Sequence, residues 1–255
     1  MNTRHVYAAF GDENNELRYG KTDGSLGLIT DFTDIFYSYG GEAQAKLKTA
    51  DRAANQLLYV GTFGALTVKA NANGGGQDYK YEKGGQKVGG QIRYGLGLAA
   101  KYDIGSGFAV GASAAYEDIN KGTVLAATNL KGNASEYVGG LSYTNGALYL
   151  GTGINYTEVV AKDIINVGDV KASSTGWELV GKYQFTDKWQ GIAGYSDTSF
   201  DSTPSTDVDN DSFVSAELSY EFAPSMVTYA GIEYGLSGEK HDDSLAGRVG
   251  AKVTF

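Results

Sequence analysis

Few side chains in this 255-residue sequence could carry out covalent chemistry. It contains no Cys, which excludes thiolate nucleophiles, thiolate metal sites and disulfides. Its two histidines, His5 and His241, are too few for a three-His zinc centre, and each reads as a solvated residue. No Gly-x-Ser-x-Gly elbow occurs. Asp207-Val-Asp209-Asn-Asp211 opens like a calcium loop. Ser212 then replaces the sixth-position Gly and Leu218 the twelfth-position Glu, which excludes an EF-hand and leaves room only for a loose divalent contact at an outer surface. Gly95-Leu-Gly97-Leu-Ala-Ala100 imitates a dinucleotide fingerprint, but no helix follows it. Asp31, Asp34 and Glu42 crowd one long connection and, on residue chemistry alone, read as solvated loop acids.

The elements that position these residues repeat with a period of two. Val214, Ala216, Leu218, Tyr220 and Phe222 alternate with Ser215, Glu217, Ser219 and Glu221. Trp177, Leu179, Gly181, Tyr183 and Phe185 alternate with Glu178, Val180, Lys182 and Gln184, and Leu66, Val68 and Ala70 with Thr67, Lys69 and Asn71. A strand sends successive side chains to opposite faces, so each segment carries one apolar and one polar face. No comparable 3.6-residue pattern appears, and the chain reads as almost wholly β.

Composition sets further bounds. Net charge is −9, so a phosphate-backbone partner finds no basic footprint, and nucleic acid is excluded. No apolar window approaches the ~18 residues of a membrane helix. With a mean hydropathy of −0.28 the chain could pass for a soluble protein. Barrel strands alternate, however, and average out as polar, so that value does not exclude a membrane protein. Met1 to His5 run straight into a strand-like segment without a leader peptide. That fits either a cytoplasmic protein or a chain whose natural N-terminus lies further upstream.

Connections alternate in size. Tight turns fall at 11–16, 61–64, 103–107, 145–146, 186–188 and 223–225. Long polar connections are expected at about 22–51, 71–90, 118–133, 158–173, 197–211 and 237–243. In a meander, alternate connections share an end, so one rim carries tight turns and the other long loops. With strands of about 8–12 residues, that asymmetry is the pattern of an outer-membrane barrel. Aromatics near the strand ends, among them Tyr59, Tyr102, Tyr116, Tyr143, Tyr156, Trp177, Phe185, Trp189, Tyr220, Phe222 and Tyr234, fit girdles at both edges of a lipid band.

Arg4-His-Val-Tyr-Ala-Ala-Phe, Leu17-Arg-Tyr-Gly-Lys21 and Asp31-Phe-Thr-Asp-Ile-Phe-Tyr-Ser-Tyr-Gly-Gly-Glu42 resemble the general trimeric porins of Gram-negative outer membranes. The matching features are Tyr19-Gly20-Lys21 at a strand end, Thr33-Asp34, and Tyr39-Gly40-Gly41-Glu42. A C-terminal Phe255 on an alternating strand is similar to the assembly signal of such porins. The resemblance runs from Arg4 to Phe255. It implies one all-β domain over 1–255, a transmembrane antiparallel barrel of the porin type. About 13 strands are expected here against the family's sixteen, as if the chain were shortened at its N-terminus by three strands and a signal peptide. The connection at about 22–51 would be the constriction loop folded into the lumen.

The same resemblance implies a passive diffusion channel, not an enzyme, with no cofactor and no metal. Acidic groups Asp31, Asp34 and Glu42 on the loop would face basic Arg4 and Arg52 on the wall, and Lys21, Lys69, Arg93 and Lys101 would be further lumen charges. The acid excess, 30 Asp+Glu against 21 Lys+Arg, favours weak cation selectivity. Expected partners are outer-membrane lipid and lipopolysaccharide, small hydrophilic solutes and ions, and two further copies in a homotrimer that the missing strands would weaken. Rival readings are a plugged barrel acting as receptor or adhesin, a porin fragment without function, and a soluble β-sandwich lectin.

Overall fold

The computed structural model describes residues 3–41, 43–83, 86–124, 127–164, 168–203, 210–237 and 244–254. Thirteen strands pair in sequence order, each antiparallel to the next. They are β1 (Val6–Gly11), β2 (Asn15–Asp23), β3 (Arg52–Phe63), β4 (Leu66–Lys83), β5 (Gln86–Gly105), β6 (Phe108–Val124), β7 (Ala127–Asn145), β8 (Leu148–Ile164), β9 (Gly168–Gln184), β10 (Trp189–Thr203), β11 (Asp211–Ala223), β12 (Met226–Ser237) and β13 (Leu245–Val253). One helical turn, α1 (Gly27–Thr30), lies in the connection between β2 and β3. Among the described residues β1 and β13 do not pair with each other, and with twelve antiparallel steps between them they run in the same direction.

The sheet is inside-out relative to a soluble domain. Leu98, Ile154, Leu218 and Ile232 are 56%, 54%, 47% and 57% exposed, whereas Glu136, Glu178 and Glu217 are 0%, 3% and 5% exposed. Both sets sit on regular strands, and parity separates them. Register keeps this polarity continuous around the wall: outward Tyr137 pairs with outward Tyr156, and inward Glu178 with inward Ser196. A one-residue slip would reverse every side chain, so the register is strongly specified.

Aromatic residues mark two levels on the outward face. Near the tight turns, Phe108 packs on Tyr143 at 4.5 Å between ring centres and Trp189 on Tyr220 at 4.7 Å. Toward the other rim, Tyr94 meets Tyr116 at 6.1 Å and Trp177 meets Tyr195 at 5.3 Å. Single strands carry both levels: Tyr94 and Tyr102 on β5 and Phe108 and Tyr116 on β6 are eight residues apart, as are Trp177 on β9 and Phe185 just past its end. At ~3.3 Å per residue this is about 26 Å of strand, matching an apolar band ~25 Å tall before strand tilt is counted.

Three of the expected long connections are instead continuing hairpins. β4 and β5 stay paired from Leu66↔Tyr102 to Lys83↔Gln86, β6 and β7 to Val124↔Ala127, and β8 and β9 to Ile164↔Gly168. Past the upper aromatic level neither face meets hydrocarbon, so apolar alternation is lost while backbone pairing persists. A periodicity reading therefore ends these strands too early. β5 is 20 residues long, not 8–12, and its path of about 66 Å exceeds the ~30 Å hydrocarbon layer.

Candidate functional site

Among the described residues, the connection between β2 and β3 is the long loop turned onto the inner face. Its base is closed by the Gly24 amide donating to the Asp51 carbonyl and the Leu26 amide to the Ala50 carbonyl at 3.0 Å. The outbound leg packs by apolar contact: Leu26, Ile29 and Phe32, with Ala50 of the return leg, cluster with Ala99, Ala109, Ala115 and Val138 of β5, β6 and β7. The Tyr149 hydroxyl of β8 donates to the Phe32 carbonyl at 2.8 Å.

Beyond Phe32 the attachment is polar and rests on four inward glutamates. Glu178 (β9) accepts from the Thr33 hydroxyl at 2.5 Å, the Gln44 amide at 2.7 Å and the Ala43 backbone amide at 3.1 Å. Glu217 (β11) takes the tip, accepting from the Tyr37 and Ser38 backbone amides at 3.0 and 2.6 Å and the Ser38 hydroxyl at 2.5 Å. Glu136 (β7) accepts from the Lys46 and Leu47 amides at 3.1 and 2.6 Å on the return leg, and Glu117 (β6) from the Thr49 amide at 2.5 Å. Arg248 (β13) donates to the Ser38 carbonyl at 2.5 Å. A loop touching β6, β7, β9, β11 and β13 from one side requires the sheet to curl around it. Carboxyl groups suit the task because an irregular loop leaves backbone N–H groups unpaired, and each side chain offers two oxygens that can accept them.

Close approach also requires missing side chains on the wall. A Cβ at Gly151 would collide with the Phe32 carbonyl oxygen, and one at Gly176 with that of Ala43. Both glycines face inward on strands that the loop crosses.

The expected charges are distributed as follows. Asp31 is exposed and carries no ion pair among the described residues; crowding around its carboxyl raises its pKa, and Lys69 and Lys46 oppose the shift. Asp34 is ion-paired with Lys46 of the same loop, so its charge is compensated locally, a partner that residue spacing did not reveal. Glu42 lies outside the described residues, as do Phe255, His241 and Asp207 to Asp209. Burial raises the pKa of Asp51 at the loop's return, with Arg52 and Arg4 among the charges that act on it. Arg4 is exposed just ahead of β1.

Arg52 does find a carboxylate, but not one of the loop acids: its Nε donates to Asp23 at the end of β2 at 2.8 Å, and His5 Nε2 stands 3.0 Å from the same carboxylate. Lys21 Nζ donates to the Thr3 carbonyl at 2.9 Å. Lys69 and Lys101 lie on inward rows, in register with Ala99 and Gly111, and Lys101 stands 3.5 Å from Asp103. Arg93 departs from the expected arrangement. A bulge between Ile92 and Tyr94 takes it out of the ladder. Its guanidinium then grips Asp118 on the outward row at 2.8 and 3.0 Å and lies 5.3 Å over the Tyr94 ring. Sequence reading also passed over Arg18, inward on β2 and paired with Glu16 at 3.0 and 2.8 Å.

The glutamate anchors were missed as well. The available signal was an acid in mid-strand on the polar row of β6, β7, β9 and β11, four times over. Among the described residues no group of three or more His, Cys, Asp or Glu could hold a metal. What this arrangement can do is narrow and line a polar interior.

A family profile described as Gram-negative porin matches residues 1–240. Outer membrane protein U of Vibrio parahaemolyticus is 32% identical over 257 residues, covering 100% of this chain and 66% of that protein. Porin-like protein L of Photobacterium profundum is 34% identical, covering 92% of this chain and 64% of that protein. The chain thus spans just under two thirds of these relatives' length. Among solved structures, a loop-deletion mutant of the outer membrane protein OmpT of Vibrio cholerae superposes with a TM-score of 0.76 at 18% identity, covering 98% of this chain and 79% of that one.

Proposed function

The chain belongs to the Gram-negative porin family of the bacterial outer membrane, and from that premise we propose that it forms a passive diffusion channel for small hydrophilic solutes and ions. The observation that carries this reading is the inverted polarity of the wall together with a loop anchored on its polar side. Hydrocarbon is the solvent for which outward Leu98 and Ile154 are suited, and water the one for inward charges such as Lys69 and Arg18. Transport through such a passage needs no covalent step, and the chain is proposed to be no enzyme. Size and charge at the narrowest point then set the preference.

Asp31 and Asp34 with Glu42 on one side, and Lys69, Arg52 and Arg4 on the other, are proposed as the charges that solutes meet, with a weak preference for cations. Assembly as a homotrimer is proposed from the same family resemblance, with outer-membrane lipid and lipopolysaccharide around it. The test is the purified chain, refolded and added to a planar lipid bilayer. Stepwise conductance is expected, along with gel mobility that changes only on boiling. A heat-modifiable barrel that leaves the bilayer silent would favour a plugged receptor or adhesin. A chain with unchanged mobility on boiling would mark a sheet that cannot close alone.

A further inference from the structure

The loop tip carries no acid among its described residues 35–41: it reads Ile35-Phe-Tyr-Ser-Tyr-Gly-Gly41. Facing it on β13 are two cations of one inward row, Arg248 and Lys252, in a chain whose net charge is −9. Both sit over tip aromatics. The Arg248 guanidinium lies 4.3 Å from the centre of the Tyr39 ring, and Lys252 Nζ 5.5 Å from that of Tyr37. Tyr37 in turn stacks on Tyr229 of β12, with ring centres 5.7 Å apart and planes 20° from parallel. Tyr39 is buried, whereas Arg248 and Lys252 are exposed.

Carboxylates nearby do not neutralise the pair. Glu217 spends its oxygens on the Tyr37 and Ser38 donors, and Glu233 accepts from the Ser215 hydroxyl at 3.1 Å. Glu221, inward on β11, is felt by Tyr37, but it forms no ion pair with Lys252 among the described residues. Arg248 uses one guanidinium nitrogen on the Ser38 carbonyl and keeps its other donors. Lys252 lies toward the tight-turn rim, since it pairs with Val227 one step from the β12 start.

We propose that Tyr37, Tyr229 and Lys252, with Arg248 behind them, form a subsite for planar aromatic carboxylates on the tight-turn side of the loop. The inference rests on the channel reading and deepens it by naming a solute class. A flat ring can extend the Tyr37–Tyr229 stack, and aromatic faces prefer such offset contact. Its carboxylate then falls within reach of a cation that has no carboxylate partner among the described residues. The passage therefore carries opposite signs at two places: Asp31 where the loop leaves the wall, and Lys252 where the tip ends. A small inorganic anion gains only the charge, and a neutral ring only the stack, so the two together select the solute.

The experiment titrates benzoate onto the full chain folded in detergent micelles, read by ligand-observed NMR, so that binding is scored independently of conductance. Benzoate is expected to bind several-fold more tightly than acetate or benzyl alcohol. Lys252→Gln should weaken it about fivefold, the loss of one cation contact, while Lys252→Arg retains it. Tyr229→Leu, which leaves the loop's hydrogen bonds untouched, should remove the preference over acetate. Equal binding of benzoate to wild type and Lys252→Gln, or acetate binding as well as benzoate, overturns the subsite. Bilayer conductance of the same preparations scores the channel reading separately. A conducting chain with no benzoate preference sinks only the subsite, and a silent chain that binds benzoate as described sinks only the channel.

Discussion

Glu217 and Ser38 are 179 residues apart in sequence and meet through two hydrogen bonds, the Ser38 amide at 2.6 Å and its hydroxyl at 2.5 Å, both ending on one carboxylate oxygen. With the Tyr37 amide on the same side chain, one wall carboxylate accepts both backbone amides at the farthest point of the loop, where Arg248 also donates to the Ser38 carbonyl.

Replacing that acceptor should free the tip. Glu217→Ala leaves the Tyr37 and Ser38 donors without their partner, at a cost of about 1–3 kcal/mol each where water cannot reach them. Faster amide exchange at residues 37 and 38 is expected, with little change at the loop base near Ala50. Single-channel current should become larger or noisier. Unchanged exchange at the tip would show that Arg248 and the ring contacts suffice.

A methyl group at Gly176 should act from the wall side. Gly176→Ala pushes on the Ala43 carbonyl, and overpacking of this kind costs about 1–3 kcal/mol. A lowered temperature for the mobility change on boiling is expected. Ala at Gly146, a tight-turn glycine with φ of 56°, meets no neighbour and should disturb only its own turn.

Loop charge predicts an asymmetry between two neighbouring acids. Asp34 is compensated by Lys46, so Lys46→Gln should strengthen cation preference in a salt gradient, and adding Asp34→Asn to it should return the reversal potential toward wild type. The Asp31 pKa is raised because neighbouring protein atoms displace water from around its carboxyl, so as pH falls this group protonates before an ordinary one. Cation preference should begin to decline above the usual carboxylate range, and Asp31→Asn should remove that early portion of the titration. Reversal potentials indifferent to all three variants would place the selective charges elsewhere.

The wall's polarity predicts an effect that no soluble β protein would show. Leu98 lies midway between Tyr94 and Tyr102 on the outward face of β5, and Leu98→Lys should cost about 2–4 kcal/mol at mid-bilayer depth. The same change on the water-exposed surface of a soluble domain is nearly neutral. Urea unfolding in lipid vesicles measures the difference.

Much of this architecture is legible from residue order. Alternation along β9 and β11 gives their outward rows directly, and 13 strands agree with the number expected. The loop bounds differ from about 22–51 only at the start, because Thr22 and Asp23 still pair with Ala53 and Arg52. The loop's fastening is not legible, since Glu217 and Glu221 stand on the same row of one strand and only the fold separates an anchor from a solvated acid. Arg93 was misplaced because a bulge shifts parity by one, and no residue type announces it. The upper hairpins were lost because periodicity reports which solvent lies on each face, and water on both sides erases the contrast.

The reach of β5 past the lipid changes what the outside world encounters. Whatever approaches that rim meets β4 and β5 as a paired ribbon with a defined register instead of an irregular strap. Sera raised against linear peptides from 77–92 should recognise the denatured chain well and the folded one poorly, because the paired residues on β4 and β5 hold a shape that an isolated peptide lacks.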